Sequence, residues 1–250
     1  MYMENHKNLP PGSDKHYQAY IGPPYEYDLM GARQFTLLFN LGIRETAKIL
    51  DFGCGSLRLG RLLINWLNKG NYYGIDPNKW LIDEAIKNEI GNEIINIKNP
   101  NFSYNDNFDS SIFNVKFNYI IAQSIFSHTT FPLFKRVINN LINNLNENGI
   151  LLFTCLTNKM SKGSEYDKNQ EKWVYPTCAI LEHDEIINFI NSIGYCTDIK
   201  GYHSIQTWFI FSMNKDIIET AKENKNNLTD LPFSNTKLWD YSKLKYNCKK

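Results

Sequence analysis

The sequence predicts an α/β domain. Its core is a doubly wound, mostly parallel sheet of seven strands, covered by helices on both faces and ending in an antiparallel strand. Three observations predict it. The stretch KILDFGCGSLRLGRLLINWL (48–67) passes from a short run ending in an acid, through Gly53 and Gly55, into apolar residues at helical spacing. Strand-length apolar runs then alternate with helix-period segments, the signature of parallel strands joined by helical crossovers. The last two runs, 195–200 and 206–212, are joined by too short a link for a crossover and must pair as a hairpin.

Taken in order, residues 1 to about 16 are polar and read as a partly mobile arm. Residues 17–28 place Tyr17, Tyr20, Tyr25 and Tyr27 around Gly22-Pro23-Pro24, a loop composition suited to a lid or wall. A helix from Leu29 carries Phe35, Leu37, Leu38 and Leu41 and ends at Gly42. Strand one spans 48–52, and its loop leads into a helix bearing Leu59, Leu62, Leu63, Trp66 and Leu67. Strand two, 72–75, closes on Asp76-Pro77, after which Asn78 caps a helix reaching about 88, with Gly91 beyond it. A third strand falls at either 94–97 or 102–104, and the fourth at 117–122. Thr129 and Thr130 offer caps for a long helix with Pro132 in its first turn. Its buried face is Phe134, Ile138, Leu141, Ile142 and Leu145. Strand five is expected at 149–156, followed by an insertion, 158–181, that holds Trp173, Tyr175 and Pro176. A helix at 184–192 precedes the closing hairpin, and 215–250 is a polar tail with a weak helix, free to wrap, to pair with another subunit as a homodimer, or to stay loose. The expected organisation is an arm and aromatic lid (1–28), one catalytic domain (29–214) and the tail (215–250).

The 250 residues suffice for one such domain with insertions. Lys and Arg number 27 against 26 Asp and Glu, so no broad attraction to nucleic acid or an anionic membrane is expected. The five cysteines, Cys54, Cys155, Cys178, Cys196 and Cys248, contain no C-x-x-C pair, which argues against a disulfide framework and a zinc site. A polar start and apolar runs too short to span a bilayer lead to the expectation of a cytoplasmic protein. G-x-S-x-G is absent, which argues against a serine hydrolase.

The glycine loop is read as a cradle for a nucleotide-like ligand. Its glycines leave no Cβ in the way, and the following helix is expected to point free N–H groups at the ligand. The dinucleotide fingerprint is G-x-G-x-x-G, but here Gly60 comes two places late and position 58 is Arg. With Asp51 directly before it, DFGCGS instead resembles motif I of the class I S-adenosylmethionine (SAM) methyltransferases. The chain also resembles a branch of that family associated with bacterial surface-polysaccharide (capsule) biosynthesis. The matching stretches are AYIGPPYEYD (19–28), LDFGCGSLRLGRLLI (50–64), YYGIDPNKWLI (72–82), AQSIFSH (122–128) and QTWFIF (206–211). One departure is Leu57, where many methyltransferases have Gly.

The resemblance implies a Rossmann-like methyltransferase fold, SAM as cofactor and a small-molecule acceptor. The implied reaction is transfer of a methyl group to an oxygen of a sugar or phosphorylated capsule precursor, with methyl phosphoramidate assembly as one setting. Two other classes stay open: a SAM-binding scaffold without catalysis, and a nucleotide-dependent oxidoreductase.

Ligands of open α/β sheets sit beyond the carboxyl ends of the strands. Asp51, Gly53, Cys54, Gly55 and Ser56 fall at such an end, with Cys54 a small filler and Asp51 shaping the loop. Asp76, followed by Pro77, ends strand two, where a carboxylate can accept both ribose hydroxyls or cap the next helix. In NDNF (105–108), the resemblance places Asp106 near an adenine amino group and Phe108 against its ring. Gln123 follows strand four, and Tyr20 belongs to the lid. Arg58 and Arg61 oppose the helix dipole and so require a partner: a protein carboxylate, the methionine carboxylate or a phosphorylated acceptor. His128 is the expected base for a hydroxyl acceptor, since an unperturbed histidine titrates near about 6.5; packing at a helix start is its alternative. His203, Gln206 and Trp208 are candidates to line the acceptor pocket, with the core as the commoner place for a strand Trp such as Trp208; His183 is expected at a helix cap, and His6 and His16 without a role in the arm. No cluster has metal-ligand spacing, and a metal-independent reaction is expected, with Asp106 and Asp109 the nearest carboxylates.

Overall fold

The computed structural model of the chain describes residues 6–157, 169–199, 202 and 205–229. Two helices, α1 (Tyr17–Tyr20) and α2 (Tyr27–Asn40), precede β1 (Ile49–Phe52), α3 (Gly60–Trp66), β2 (Tyr72–Ile75), α4 (Lys79–Ala85), α5 (Asn92–Lys98) and β3 (Asn101–Ser103). There follow β4 (Phe117–Ala122), α6 (Phe131–Ile142), β5 (Leu145–Cys155), α7 (His183–Asn191), β6 (Tyr195–Ile199), β7 (Thr207–Ser212) and α8 (Lys215–Thr229). The strands form one sheet in the order β3-β2-β1-β4-β5-β7-β6. β1 to β5 run parallel, and β7 lies antiparallel between β5 and β6. The expected sheet with its antiparallel ending is the one observed. Strand order reverses between β1 and β4, which opens a crevice at their carboxyl ends.

Strand side chains alternate between two apolar layers, as a sheet buried on both faces requires. Ile49, Leu152 and Ile210 join a layer with Leu37 and Leu38 of α2, Leu63 of α3 and Ile218 and Ala221 of α8. Leu50, Leu151 and Phe209 join the opposite layer with Phe134, Val137 and Ile138 of α6 and Ile186 and Ile190 of α7. Trp208, a candidate for the acceptor pocket or the core, is 2% exposed and belongs to the first layer.

Several local expectations are corrected. Residues 17–28 are not all loop: His16 Nδ1 accepts the N–H of Gln18 and caps the single turn of α1. α2 begins at Tyr27, two residues earlier than expected. Of the two places open for the third strand the second is observed, at Asn101–Ser103, and 94–97 is helical, because Ile94 and Ile95 turn toward the core from α5 while Gly74 pairs with Phe102. Asn78 precedes α4 but donates its side chain to Asp76 rather than capping. The side chains of Thr129 and Thr130 do not cap α6 either. Thr130 Oγ1 instead donates to Gln170 O (2.6 Å) and accepts from Lys172 N (2.9 Å), tying the insertion to the end of β4. Leu145 opens β5 rather than closing α6. His183 does not cap α7; its ring nitrogens meet Asp184 and Asp198. The first part of the tail is α8, whose Ile218 and Ala221 pack beside the sheet, so packing continues past residue 214.

Candidate active site

Left-handed backbone marks the carboxyl edge of the sheet. Gly53 (φ +76°) and Gly55 (φ +52°) turn the chain after β1. Leu57 (φ +53°), Phe108 (φ +64°) and Ser124 (φ +61°) adopt the same region without being glycine, and backbone strain of this kind collects where structure serves a site. Leu57 therefore has the conformation that a glycine would take there, held by complete burial of its side chain. A methyl group added to Gly53 would lie 2.1 Å from Ile125 Cδ1, and one on Gly55 2.8 Å from Ile21 Cγ2. The loop is thus roofed by the lid on one side and by the turn after β4 on the other.

The loop does not present free amides as the sequence suggested. Gly53 N (2.8 Å) and Cys54 N (3.0 Å) both donate to Ile75 O at the end of β2, and Gly55 N donates to Asp76 Oδ2 (2.9 Å). Those groups are spent inside the protein. α3 starts only at Gly60, so Arg58 precedes the helix. Cys54 directs its sulfur toward Gly74, and burial pushes its thiol pKa far up, so it fills space and stays protonated.

Asp51 is buried and accepts from Tyr72 Oη at 2.8 Å. Burial raises its carboxyl pKa to about 7, against the opposing effects of that hydrogen bond and of Arg58. Asp76 is buried beside it, its Oδ1 taking Asn78 N (2.8 Å) and Asn78 Nδ2 (3.0 Å); burial raises its pKa as well. Asn78 takes both lone pairs of Asp76 Oδ1, while Oδ2, which accepts only Gly55 N, keeps one. Pro77 is exposed at the mouth of the strand. In 105–108 it is Asn105 that points inward: its Nδ2 donates to Ser103 Oγ and Asp109 O, while its buried Oδ1 has no partner. Asp106 is exposed, and Asp109 accepts from Ser111. The ring of Phe108 lies 6.4 Å from that of Phe52 and 5.6 Å from that of Trp173.

Arg61 has the protein carboxylates it required: Asp28 Oδ1 at 2.7 Å and Glu89 Oε2 at 3.1 Å. Glu89 also takes Tyr17 Oη (2.9 Å) and Gln18 Nε2 (2.6 Å), so it fastens the lid down. His6 and His16 stack at 4.0 Å in the same docked segment, which gives the two histidines a structural part. Among the described residues Arg58 has no such pair, and its Nε is buried without a hydrogen-bond partner. Gln123, at the end of β4, places Nε2 3.7 Å from Met30 Sδ.

His128 closes a short turn after β4. Its Nδ1 lies 2.7 Å from Thr177 O, and since a carbonyl only accepts, Nδ1 carries the proton and Nε2 keeps a lone pair. Burial lowers its pKa below the usual histidine value, against the opposing effect of that carbonyl. The insertion builds its surroundings: Val174 N donates to His128 O and Ala179 N to Ser127 O. Trp173 and Tyr175 stack at 6.3 Å, stand 5.5 and 5.1 Å from the His128 ring, and remain 40% and 37% exposed. Tyr20 of the lid joins them, 6.2 Å from Tyr175 and 5.3 Å from Trp80. The sequence named Trp173 and Tyr175 only as part of an insertion; two aromatics within three residues were the available signal. Gln206 reaches the same turn, donating from Nε2 to Ser124 Oγ at 2.9 Å. His203 lies outside the described residues.

Residues 43–194 match a family model described as a methyltransferase domain. Among solved structures, the chain resembles a DhpI complex with S-adenosylhomocysteine (SAH) at a TM-score of 0.53 and 13% identity, over 75% of this chain and 85% of that one. It resembles magnesium protoporphyrin IX methyltransferase from Synechocystis PCC 6803, with bound SAM, at 0.51 and 14%, over 74% and 82%. A SAM-dependent methyltransferase from Clostridium acetobutylicum gives 0.52 and 12%, over 75% and 92%. At these identities the likeness is one of fold. A comparison with curated proteins found no match.

Proposed function

The chain belongs to the methyltransferase-domain family, of the class I, SAM-dependent kind, and on that footing we propose that it methylates an oxygen of a small polar acceptor. The observation that carries the choice of cofactor is the loop after β1. Its amides at 53, 54 and 55 are consumed by Ile75 and Asp76. A pyrophosphate needs such amides free, whereas SAM has no phosphate. This favours SAM over a dinucleotide and weighs against the oxidoreductase alternative.

The residues present fit the cofactor. Asp76 Oδ2 offers its remaining lone pair to a ribose hydroxyl, and the orphaned Asn105 Oδ1 offers an acceptor to an adenine amino group, with Phe108 beside it. Bound there, SAM would supply a methyl group already activated on a sulfonium. The protein's own work is then alignment and proton removal. His128 Nε2 takes the acceptor's hydroxyl proton, while Thr177 O holds the ring in the tautomer that leaves Nε2 basic. Trp173 and Tyr175 wall the acceptor's approach.

We assign the acceptor to a sugar or a phosphorylated precursor of a bacterial capsule, methyl phosphoramidate assembly included, on the resemblance of the five sequence stretches. A cytoplasmic setting accords with such a precursor, and among the described residues no helix is long and apolar enough to cross a membrane. Pairing of two copies through the tail belongs to the same reading. Calorimetry tests its base: SAH binds and NADH gives no heat. NADH binding with SAH inert would overturn it.

A further inference from the structure

Exposed aromatic side chains are ordinary singly, but a contiguous row of them marks a binding surface. Such a row follows the carboxyl edge of the sheet. Phe108 leads to Trp173, Trp173 to the His128 ring, His128 to Tyr175, Tyr175 to Tyr20 and Tyr20 to Trp80, each step between 5.1 and 6.2 Å. Trp80, Trp173 and Tyr175 remain exposed. Trp173 and Tyr175 form the flat centre of the row. Val174 between them is buried, so alternation along the chain turns both rings outward. Their planes differ by only 18°. The backbone under them is already fixed: Trp173 bridges to Thr129, Lys172 N donates to Thr130 Oγ1, Val174 N to His128 O and Thr177 N to Val174 O. Large rings with few torsions give contact area at little cost in entropy.

The wall selects by charge as well as by shape. The face of an aromatic ring carries partial negative charge, which repels a phosphate and attracts C–H groups polarised by neighbouring oxygens. The guanidinium that reaches this row, Arg136, 5.9 Å from the centre of the Phe108 ring, is held by Glu171 at 2.7 Å. A pyranose has the matching form, with a face of C–H groups and hydroxyls around its rim. A planar aromatic acceptor has two apolar faces and calls for a slot that covers both, whereas Trp173 and Tyr175 turn their free sides to solvent. Resting on the reading of a SAM-dependent O-methyltransferase, we infer that the unit to be methylated is an uncharged sugar ring. It stacks by its C–H face on Trp173 and Tyr175, with a rim hydroxyl at His128 Nε2. Any phosphoryl group of the precursor lies off the wall, and a sugar hydroxyl, not a phosphorylated group, is the methylated oxygen. Trp173 and Tyr175 are then the residues that choose the acceptor.

The test titrates the SAH-loaded full chain with the methyl pyranosides of glucose, galactose and mannose, with inorganic phosphate and with catechol. Calorimetry gives affinities, and saturation-transfer NMR shows which ligand protons face the protein. At least one pyranoside should bind, with saturation concentrated on the protons of one ring face. Trp173→Ala should weaken that binding roughly tenfold, the scale of one stacked ring, and Trp173→Phe should keep most of it. SAH should bind wild type and both variants alike. Absence of pyranoside binding, affinity indifferent to Trp173→Ala, or preference for phosphate or catechol overturns the assignment. A wild-type protein that does not bind SAH sinks the cofactor reading beneath it, and the assignment with it. Should Trp173→Ala fail to fold, the wild-type spectrum decides: saturation spread evenly over both ring faces overturns the stacking.

Discussion

His128 concentrates the chemistry at the residue scale. Burial holds its pKa below about 6.5, so the neutral, proton-accepting form persists into mild acid. The expected rate falls only as pH drops through that lowered value. His128→Ala should leave SAH binding intact and cut turnover by about 10²–10⁴-fold, with the acid limb of the pH profile gone. Substantial activity in His128→Asn would show that the ring orients the acceptor instead, and normal turnover in His128→Ala would remove it from the reaction. Asp51 gives a second prediction. Its folded pKa of about 7 stands above the ordinary 3.8, so the stability it lends is complete below the lower value and lost as pH rises through the upper one. The melting temperature of the ligand-free protein should therefore fall between about pH 5 and about pH 8 more than that of Asp51→Asn; parallel curves would refute the shift. Asp76→Ala should cost about 1.5–3 kcal/mol of SAH affinity, the scale of hydrogen bonds to a charged oxygen. An unchanged dissociation constant in a folded variant would leave Asp76 with only its role of holding Gly55 and Asn78.

At the scale of elements, α2 and the loop after β1 act as one piece. Gly31 is where their backbones meet, and alanine there would place its methyl 2.7 Å from the Arg58 carbonyl. Alanine in a helix interior is ordinarily worth about 1 kcal/mol over glycine. Here overpacking of about 1–3 kcal/mol opposes it, so Gly31→Ala should lower both the melting temperature and SAH affinity. A stabilised variant would show that α2 is free to move. The elements were legible in the sequence where periodicity was long. The apolar alternation fixed β1, β2, β4 and the closing hairpin to within a residue or so. It failed where the deciding contacts are remote. Thr129 and Thr130 look like caps locally, yet the insertion captures the Thr130 hydroxyl from 40 residues away. In 105–108 a shift of one residue exchanges inside for outside: Asp106 faces water while Asn105 turns its amide inward.

For the whole molecule, the order β3-β2-β1-β4-β5-β7-β6 brings Asp51, Asp76, Asn105, Gln123 and His128 to one edge. That convergence followed from the alternation of strands and helices, which requires ligands to lie beyond the carboxyl ends. Which backbone amides stay free did not follow from it, because Ile75 O and Asp76 reach the loop only once β2 is in place. Nor did the sequence show that the lid is fastened by Glu89, a residue some seventy positions from Tyr17 and Gln18. The most direct measurement is a crystal structure with SAH bound. The expected complex has its ribose on Asp76 and its sulfur facing the space between His128 and Trp173. SAH seated away from the carboxyl ends of β1, β2 and β4, or with its sulfur turned from His128, would contradict it.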